Sequence, residues 1–223
     1  MIIYVDLDGT LLDVSRRHYL IAVTVAAIAC DTALPLTQAE YWAERRSGRS
    51  DHEIINRLGG SIEQQRYAEM KSRCVELPAL LSEDRLFDCT VPALERLRAL
   101  GALVLVSHRT NHEHSMAQIR AHNLDQYFAS VHLAPDNIIS KAALAAEALR
   151  HSQAEPRVFI GDSEADLEAA RALGIGLMLV ESGVRNRDFL AAACGDSALV
   201  FRDIAQCADA LESATRSTKD GCC

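Results

Sequence analysis

Two aspartates one residue apart, Asp6 and Asp8, follow the apolar run Ile2 to Val5 and lead into Gly9-Thr10-Leu11-Leu12-Asp13. Carboxylates placed where a strand gives way to a loop lie, in an open α/β sheet, at the carboxyl edge where ligands bind. Two of them crowded there cost energy unless paired or held by a cation, so the pair reads as ligand-facing. Gly9 allows a sharp backbone turn after it, and Thr10 adds a hydroxyl. Three histidines, His108, His112 and His114, cluster further on, but their irregular spacing fits solvated side chains better than a transition-metal site. Arg109 lies among them. Arg45, Arg46 and Arg49 precede a helix start at Ser50, and Trp42 nearby reads as core.

These residues need elements to position them. From Leu103 onward, short apolar runs alternate with helical patterns: Leu103 to Val106, Ala129 to Leu133, Val158 to Ile160, Leu177 to Val180 and Ala198 to Phe201. With Ile2 to Val5 they make six candidate strands, and near-continuous apolar runs are what a parallel sheet covered on both faces demands. The fold class is therefore α/β, with a Rossmann-like, doubly wound parallel sheet. Between Asp13 and about Phe87 the rhythm changes to helix starts without strong strands. Thr37 with Glu40, Ser50 with Glu53 and Ser61 with Gln64 each read as a capping box, as does Thr110 with Glu113 beyond the stretch. A first helix from about Ser15 to Cys30 is apolar enough to pack on several sides. The organisation expected is a core of residues 1–13 and 88–214, a helical insert over 14–87 and a disordered tail over 215–223.

The octapeptide Asp6 to Asp13, DLDGTLLD, resembles the first motif of the haloacid dehalogenase-like phosphohydrolases, and three further signatures follow in order. Ser107, closing the run Val104-Leu105-Val106, resembles the second. Lys141 in Ser140-Lys141-Ala142 is similar to the third, although Ala142 stands where the family often has proline. Gly161-Asp162-Ser163-Glu164-Ala165-Asp166 resembles the fourth. The four span about 160 residues, and the insert falls between the first and second, as in the subgroup with a helical cap.

The resemblance implies a Mg²⁺-dependent phosphatase acting on a small phosphorylated metabolite. Asp6 would attack phosphorus and form an aspartyl-phosphate. Asp8 would protonate the leaving oxygen and later activate water, which calls for a carboxyl of elevated pKa. Mg²⁺ would be held by Asp6, the Asp8 backbone carbonyl and Asp162. Asp166 either joins them or, at the third position of a helix capped by Ser163, serves as a cap that complements the dipole. Ser107 and Lys141 would bind phosphoryl oxygens. Thr10, His108, Arg109 and Arg49 complete the expected substrate contacts, Arg49 reaching down from the cap. A sugar-phosphate phosphomutase shares the first motif and is the alternative reaction; a non-catalytic partner-binding relative is the reading from outside enzymology.

Composition agrees with these expectations. The 223 residues are 49 % hydrophobic and 24 % charged, the balance of a chain with a real core. A net charge of −8 disfavours nucleic acid and anionic membranes as partners. The longest apolar stretch, Leu20 to Cys30, is too short to cross a bilayer, and no export signal opens the chain, so the expected location is cytoplasmic. Seven cysteines without ligand spacing read as reduced thiols. Whether the protein is a monomer or a homodimer is left open.

Overall fold

Strand β1 (Ile2–Val5) is buried along its whole length, and its side chains divide by parity. Ile3 and Val5 enter one hydrophobic cluster with Leu94, Leu97, Leu103, Leu105 and Ile160, whereas Ile2 and Tyr4 enter another with Val104, Val106, Leu144 and Phe159. That two-residue period, with both faces dry, makes β1 a central strand. In the computed structural model, which describes residues 1–134, 140–150, 156–195 and 199–220, β1 lies between β4 (Ala102–Ser107) and β6 (Pro156–Gly161). The remaining strands are β5 (Ser130–Leu133), β7 (Gly176–Val180) and β8 (Leu199–Phe201). All pairings are parallel, and the six-stranded order is β5-β4-β1-β6-β7-β8.

Helices cover both faces. On one side α6 (Thr90–Leu100) and α11 (Ile204–Asp220) contribute Ala93, Leu94, Leu97, Ile204, Cys207 and Ala208. On the other, α8 (Lys141–Arg150) and α9 (Glu164–Leu173) contribute Leu144, Ala145, Ala148, Ala169 and Ala170. The short alanine side chains of α8 and α9 let both helices lie close to the sheet, where the Tyr4 hydroxyl donates to the Ala145 carbonyl at 3.2 Å. Two further helices complete the layers, α7 (His112–Ala121) after β4 and α10 (Arg187–Cys194) after β7. The doubly wound class expected from the strand rhythm is the fold observed.

Between β1 and α6 the chain leaves this layer. It passes through β2 (Leu12–Asp13), α1 (Ser15–Cys30), α2 (Gln38–Arg46), α3 (Asp51–Arg57), α4 (Gln64–Ser72) and α5 (Pro78–Leu81), and returns through β3 (Arg85–Leu86). β2 and β3 pair antiparallel, Leu12 with Leu86 and Asp13 with Arg85, so the outgoing and returning chain run side by side. The helices have a hydrophobic cluster of their own, including Ile21, Val25, Tyr41, Ile54, Ile55 and Tyr67.

Local expectations divide. The capping boxes at Thr37–Glu40 and Ser50–Glu53 are formed. The one at Ser61 is not, because the Asn56 side chain accepts from the Ile62 amide and donates to its carbonyl, at 2.8 and 2.9 Å, and α4 starts only after Glu63. Nor does Thr110 cap α7. Its amide and hydroxyl both donate to Glu76, and Asn111 takes its place by accepting from the His114 amide at 2.9 Å. The tail expected over 215–223 is helical as far as Asp220, since α11 packs on α6, where Arg96 pairs with Asp209 and Glu212. Ala198, Cys222 and Cys223 lie outside the described residues. The five described cysteines are free thiols, and among the described residues no helix is long and apolar enough to cross a membrane.

Candidate active site

Each of the sheet's central strands ends in a polar side chain at the same edge. Asp6 follows β1, with its amide donating to the Ile160 carbonyl at 2.9 Å; Ser107 closes β4; Asp162 follows β6. Chain order reverses on the two sides of β1, and at such a switch point the helices after neighbouring strands diverge and leave a crevice. A cleft of about 400 Å³ lies there. Its floor includes Asp6, Asp8, Ser107, His108, Arg109, Lys141 and Asp162, and its insert wall includes Arg17, His18, Lys71 and Glu76.

Lys141 opens α8 behind Ser140, whose hydroxyl accepts from the Ala143 amide at 3.2 Å. Its Nζ lies 2.6 Å from Asp6 and 2.6 Å from Asp166. Asp166 is saturated: Oδ1 accepts from Lys141, and Oδ2 accepts from the Asp162 and Ser163 amides, each at 3.0 Å, and from the Ser163 hydroxyl at 2.7 Å. Of its two expected roles the structure shows the capping one, combined with a grip on Lys141. Close packing requires Gly161 here, because a Cβ would stand 2.1 Å from the Asp166 Cγ. Gly9 is required on the other side. It has φ +76°, and a Cβ would meet the Asp162 carboxylate at 2.0 Å.

Asp6, Asp162 and Asp166 bring one carboxylate oxygen each within 4.8 Å of one another, all buried. Burial pushes Asp6 up to about 7, helped by the Asp166 charge and opposed by Lys141. Burial, with the charges of Asp6 and Asp166, likewise holds Asp162 well above the carboxylate range. With all three acids ionised, one ammonium would leave two negative charges uncompensated, which is why the carboxyls hold on to protons, and their donors are all hard oxygen. This chemistry suits a divalent cation such as Mg²⁺.

Asp8 differs from its expected state. Its two oxygens accept from Arg109 Nη2 and Nε at 2.6 and 2.7 Å, and Arg17 Nη2 lies 3.1 Å away. Although burial works the other way, Arg109 and Arg17 hold its pKa far below the ordinary value. The carboxyl of elevated pKa is therefore not what this structure contains; Asp8 is firmly ionised. Arg109, expected on substrate, grips Asp8 instead while still lining the cleft. Thr10 is fully buried and does not line the cleft. Arg49 is exposed, paired with Glu44, and likewise absent from the cleft wall. The insert arginine that reaches the acidic pair is Arg17.

The sequence around Arg17 carries a legible signal. Arg17 stands four residues before Ile21 and eight before Val25, on the stripe of α1 that is buried, and a charge on an apolar stripe is seldom there for solubility. Lys71, a second insert cation on the cleft wall, pairs with buried Asp51 at 3.0 Å. The insert meets the core on both flanks of the cleft. Glu76 accepts from the Thr110 and Asn111 amides at 2.9 and 2.5 Å. On the far side the Asn186 amide donates to the Arg46 carbonyl at 2.9 Å.

The chain matches the family model of haloacid dehalogenase-like hydrolases over residues 1–174, and it belongs to that family. It is 29 % identical over 202 residues to a phosphoglycolate phosphatase from Synechococcus elongatus, covering 86 % of this chain and 88 % of the relative. Among solved structures it resembles a haloacid dehalogenase-like hydrolase from Streptococcus pneumoniae, with TM-score 0.72 and 19 % identity, over 94 % of this chain and 97 % of that one. The protein tyrosine kinase PtkA of Mycobacterium tuberculosis is similar in fold as well, with TM-score 0.68 and 22 % identity, over 94 % and 97 % of the two chains. Fold alone thus accommodates more than one phosphoryl chemistry, and the family match with the curated relative marks this chain as a phosphatase enzyme.

Proposed function

We propose that this protein hydrolyses a small phosphate monoester in two displacements, with Asp6 as nucleophile and Mg²⁺ as cofactor. The observation that carries the reading is the placement of Asp6: buried at the cleft floor, 2.6 Å from the Lys141 ammonium and beside Asp162. In the first step an Asp6 oxygen bonds to phosphorus as the ester P–O bond breaks, and the departing oxygen takes its proton from water, since the carboxylate of Asp8 carries none to give. In the second, water attacks the aspartyl-phosphate and Asp8 takes its proton. The ionised Asp8 described above is the form suited to this second step.

Ser107 and Lys141 would hold phosphoryl oxygens, where fixed donors act on charge that grows in the transition state. Asp6, Asp162 and the Asp8 carbonyl would hold the Mg²⁺, which when bound neutralises charge between nucleophile and phosphate. The insert over 14–87 serves as the lid that excludes water and shapes the leaving-group pocket. A cleft of about 400 Å³ suits a small ester, and the name of the Synechococcus relative makes phosphoglycolate the first substrate to try.

Wild-type protein and Asp6→Asn, each incubated with p-nitrophenyl phosphate and then with a panel of small phosphate esters, with and without Mg²⁺, provide the test. Metal-dependent release of inorganic phosphate by the wild type alone is the expected result. Equal release by the variant rejects the assignment, and phosphate appearing on a sugar hydroxyl instead of in solution replaces it with the mutase.

A further inference from the structure

Beneath the cleft lies a second acid that the proposed reaction does not use. Asp84, 3 % exposed and absent from the cleft lining, precedes β3 on the returning crossing. Its Oδ1 is 3.1 Å from Arg17 Nε and its Oδ2 is 3.3 Å from Arg109 Nη2. Gln118 of α7 buttresses the same oxygen: its Nε2 donates to Asp84 Oδ2 at 2.9 Å and to the Leu81 carbonyl at 2.6 Å, while its Oε1 accepts from Arg109 Nη2 at 3.3 Å. Asp8, Arg17, Asp84 and Arg109 therefore form a closed ring of alternating charge. One arginine comes from the insert and the other from the core.

A buried ion cluster of this kind is poor value for stability, since well-packed apolar side chains of similar volume often do as well. What it does supply is geometry. Each guanidinium is planar and rigid: Arg17 meets Asp84 through Nε and Asp8 through Nη2 as ion pairs without hydrogen-bond geometry, while Arg109 Nη2 donates to both acids, so the charge of Asp84 holds both cations against Asp8. We propose that Asp84 is a positioning residue: through Arg17 and Arg109 it fixes the Asp8 carboxylate at the reacting end of the cleft, and it couples that placement to the seating of α1. This rests on the role proposed for Asp8. Asp84 touches no substrate; it acts only through the two arginines.

Two readouts separate this from a merely structural role. In kinetics with p-nitrophenyl phosphate and Mg²⁺, Asp84→Asn is expected to lower kcat about tenfold to a hundredfold with KM changed less than about threefold, the pattern of a misplaced reacting group. Arg17→Ala should lose kcat similarly and regain part of it in sub-denaturing guanidinium chloride, whereas Asp84→Asn, which keeps both arginines, should not. In nitrogen-15 spectra, the Nε–H signal of Arg109, which donates to Asp8 and is assigned with Arg109→Lys, should be protected from exchange in the wild type and lose protection in Asp84→Asn. A kcat within about twofold of wild type in Asp84→Asn, or no guanidinium rescue of Arg17→Ala, overturns the proposal. Should Asp84→Asn fail to fold, the rescue experiment decides alone. Should the wild type hydrolyse no phosphate ester, the proposed function fails, and unchanged Nε–H protection in Asp84→Asn would independently reject the clamp.

Discussion

Lys141 Nζ sits 2.6 Å from the Asp6 carboxylate, and this ammonium is the one cation of the described residues that contacts Asp6. The same nitrogen binds Asp166, which in turn caps α9, so one lysine ties the start of α8 to the ends of β1 and β6. Lys141→Met is expected to reduce turnover by at least about a hundredfold, because a fixed donor to the transferring group disappears. It should also cost on the order of 3 kcal/mol of stability, as two buried carboxylates lose their partner. Turnover and urea unfolding, measured on one preparation, check both parts.

Metal binding should depend on pH in a direction fixed by Asp6 and Asp162. Both carboxyls are raised in the folded protein, so between the unfolded value near 4 and the folded value of about 7 for Asp6 the native state holds more protons than the unfolded chain. Stability of the metal-free protein supplied by these groups is complete below that window and falls as pH rises through it. A cation competes with those protons. The Tm increment produced by Mg²⁺ is therefore expected to grow from about pH 5 to about pH 8. An increment that is flat or shrinks across this range contradicts the assignment of Asp6 and Asp162 as ligands.

The insert has an acid-sensitive pin of opposite sign. Asp51 is 4 % exposed and accepts from Tyr41 Oη at 2.6 Å, with Arg45 Nε at 2.9 Å and Lys71 Nζ at 3.0 Å. Burial alone would raise its pKa, but Lys71 and Arg45 outweigh it and hold the carboxyl below the ordinary range. Its contribution is full above about pH 4 and is lost as pH falls through the depressed value. Asp51→Asn strands two cations and is expected to cost about 3 kcal/mol, or roughly 6–12 °C in Tm. Calorimetry at neutral pH measures the loss.

Arg49→Ala should be close to silent. Its guanidinium pairs with Glu44 on the surface with the side chain 50 % exposed, and exposed pairs contribute about 0–1 kcal/mol. Steady-state kinetics on the best substrate of the panel should give kcat/KM within about twofold of wild type; a large rise in KM would return Arg49 to the binding site.

What could be read from residue order alone was whatever depends on local position. Asp6, Ser107 and Asp162 each follow an apolar run, and Lys141 opens a helical pattern, so their arrival at one sheet edge follows from parallel strands. The six strands were visible because dry strands are continuous apolar runs. β2 and β3 were not, since two residues carry no period. Arg17 and Asp84 meet only because the two crossings lie together, which no local pattern encodes. Arg49 stands before a helix start, a local cue, whereas the burial of Arg17 is tertiary. The state of Asp8 was misjudged for the same reason: motif spacing places a carboxyl but does not reveal which guanidiniums close on it.

The pairing of Leu12 with Leu86 and Asp13 with Arg85 makes a narrow doorway through which the chain leaves the sheet for the helical insert and returns. Whatever is built beyond that threshold can be lengthened, shortened or swapped with little disturbance to the sheet, provided the two short strands still clasp. A chimera that borrows another helical module should be joined at these four residues rather than at the ends of α1 and α5, and has to supply an arginine and an acid in place of Arg17 and Asp84, which lie between the two short strands and ring Asp8.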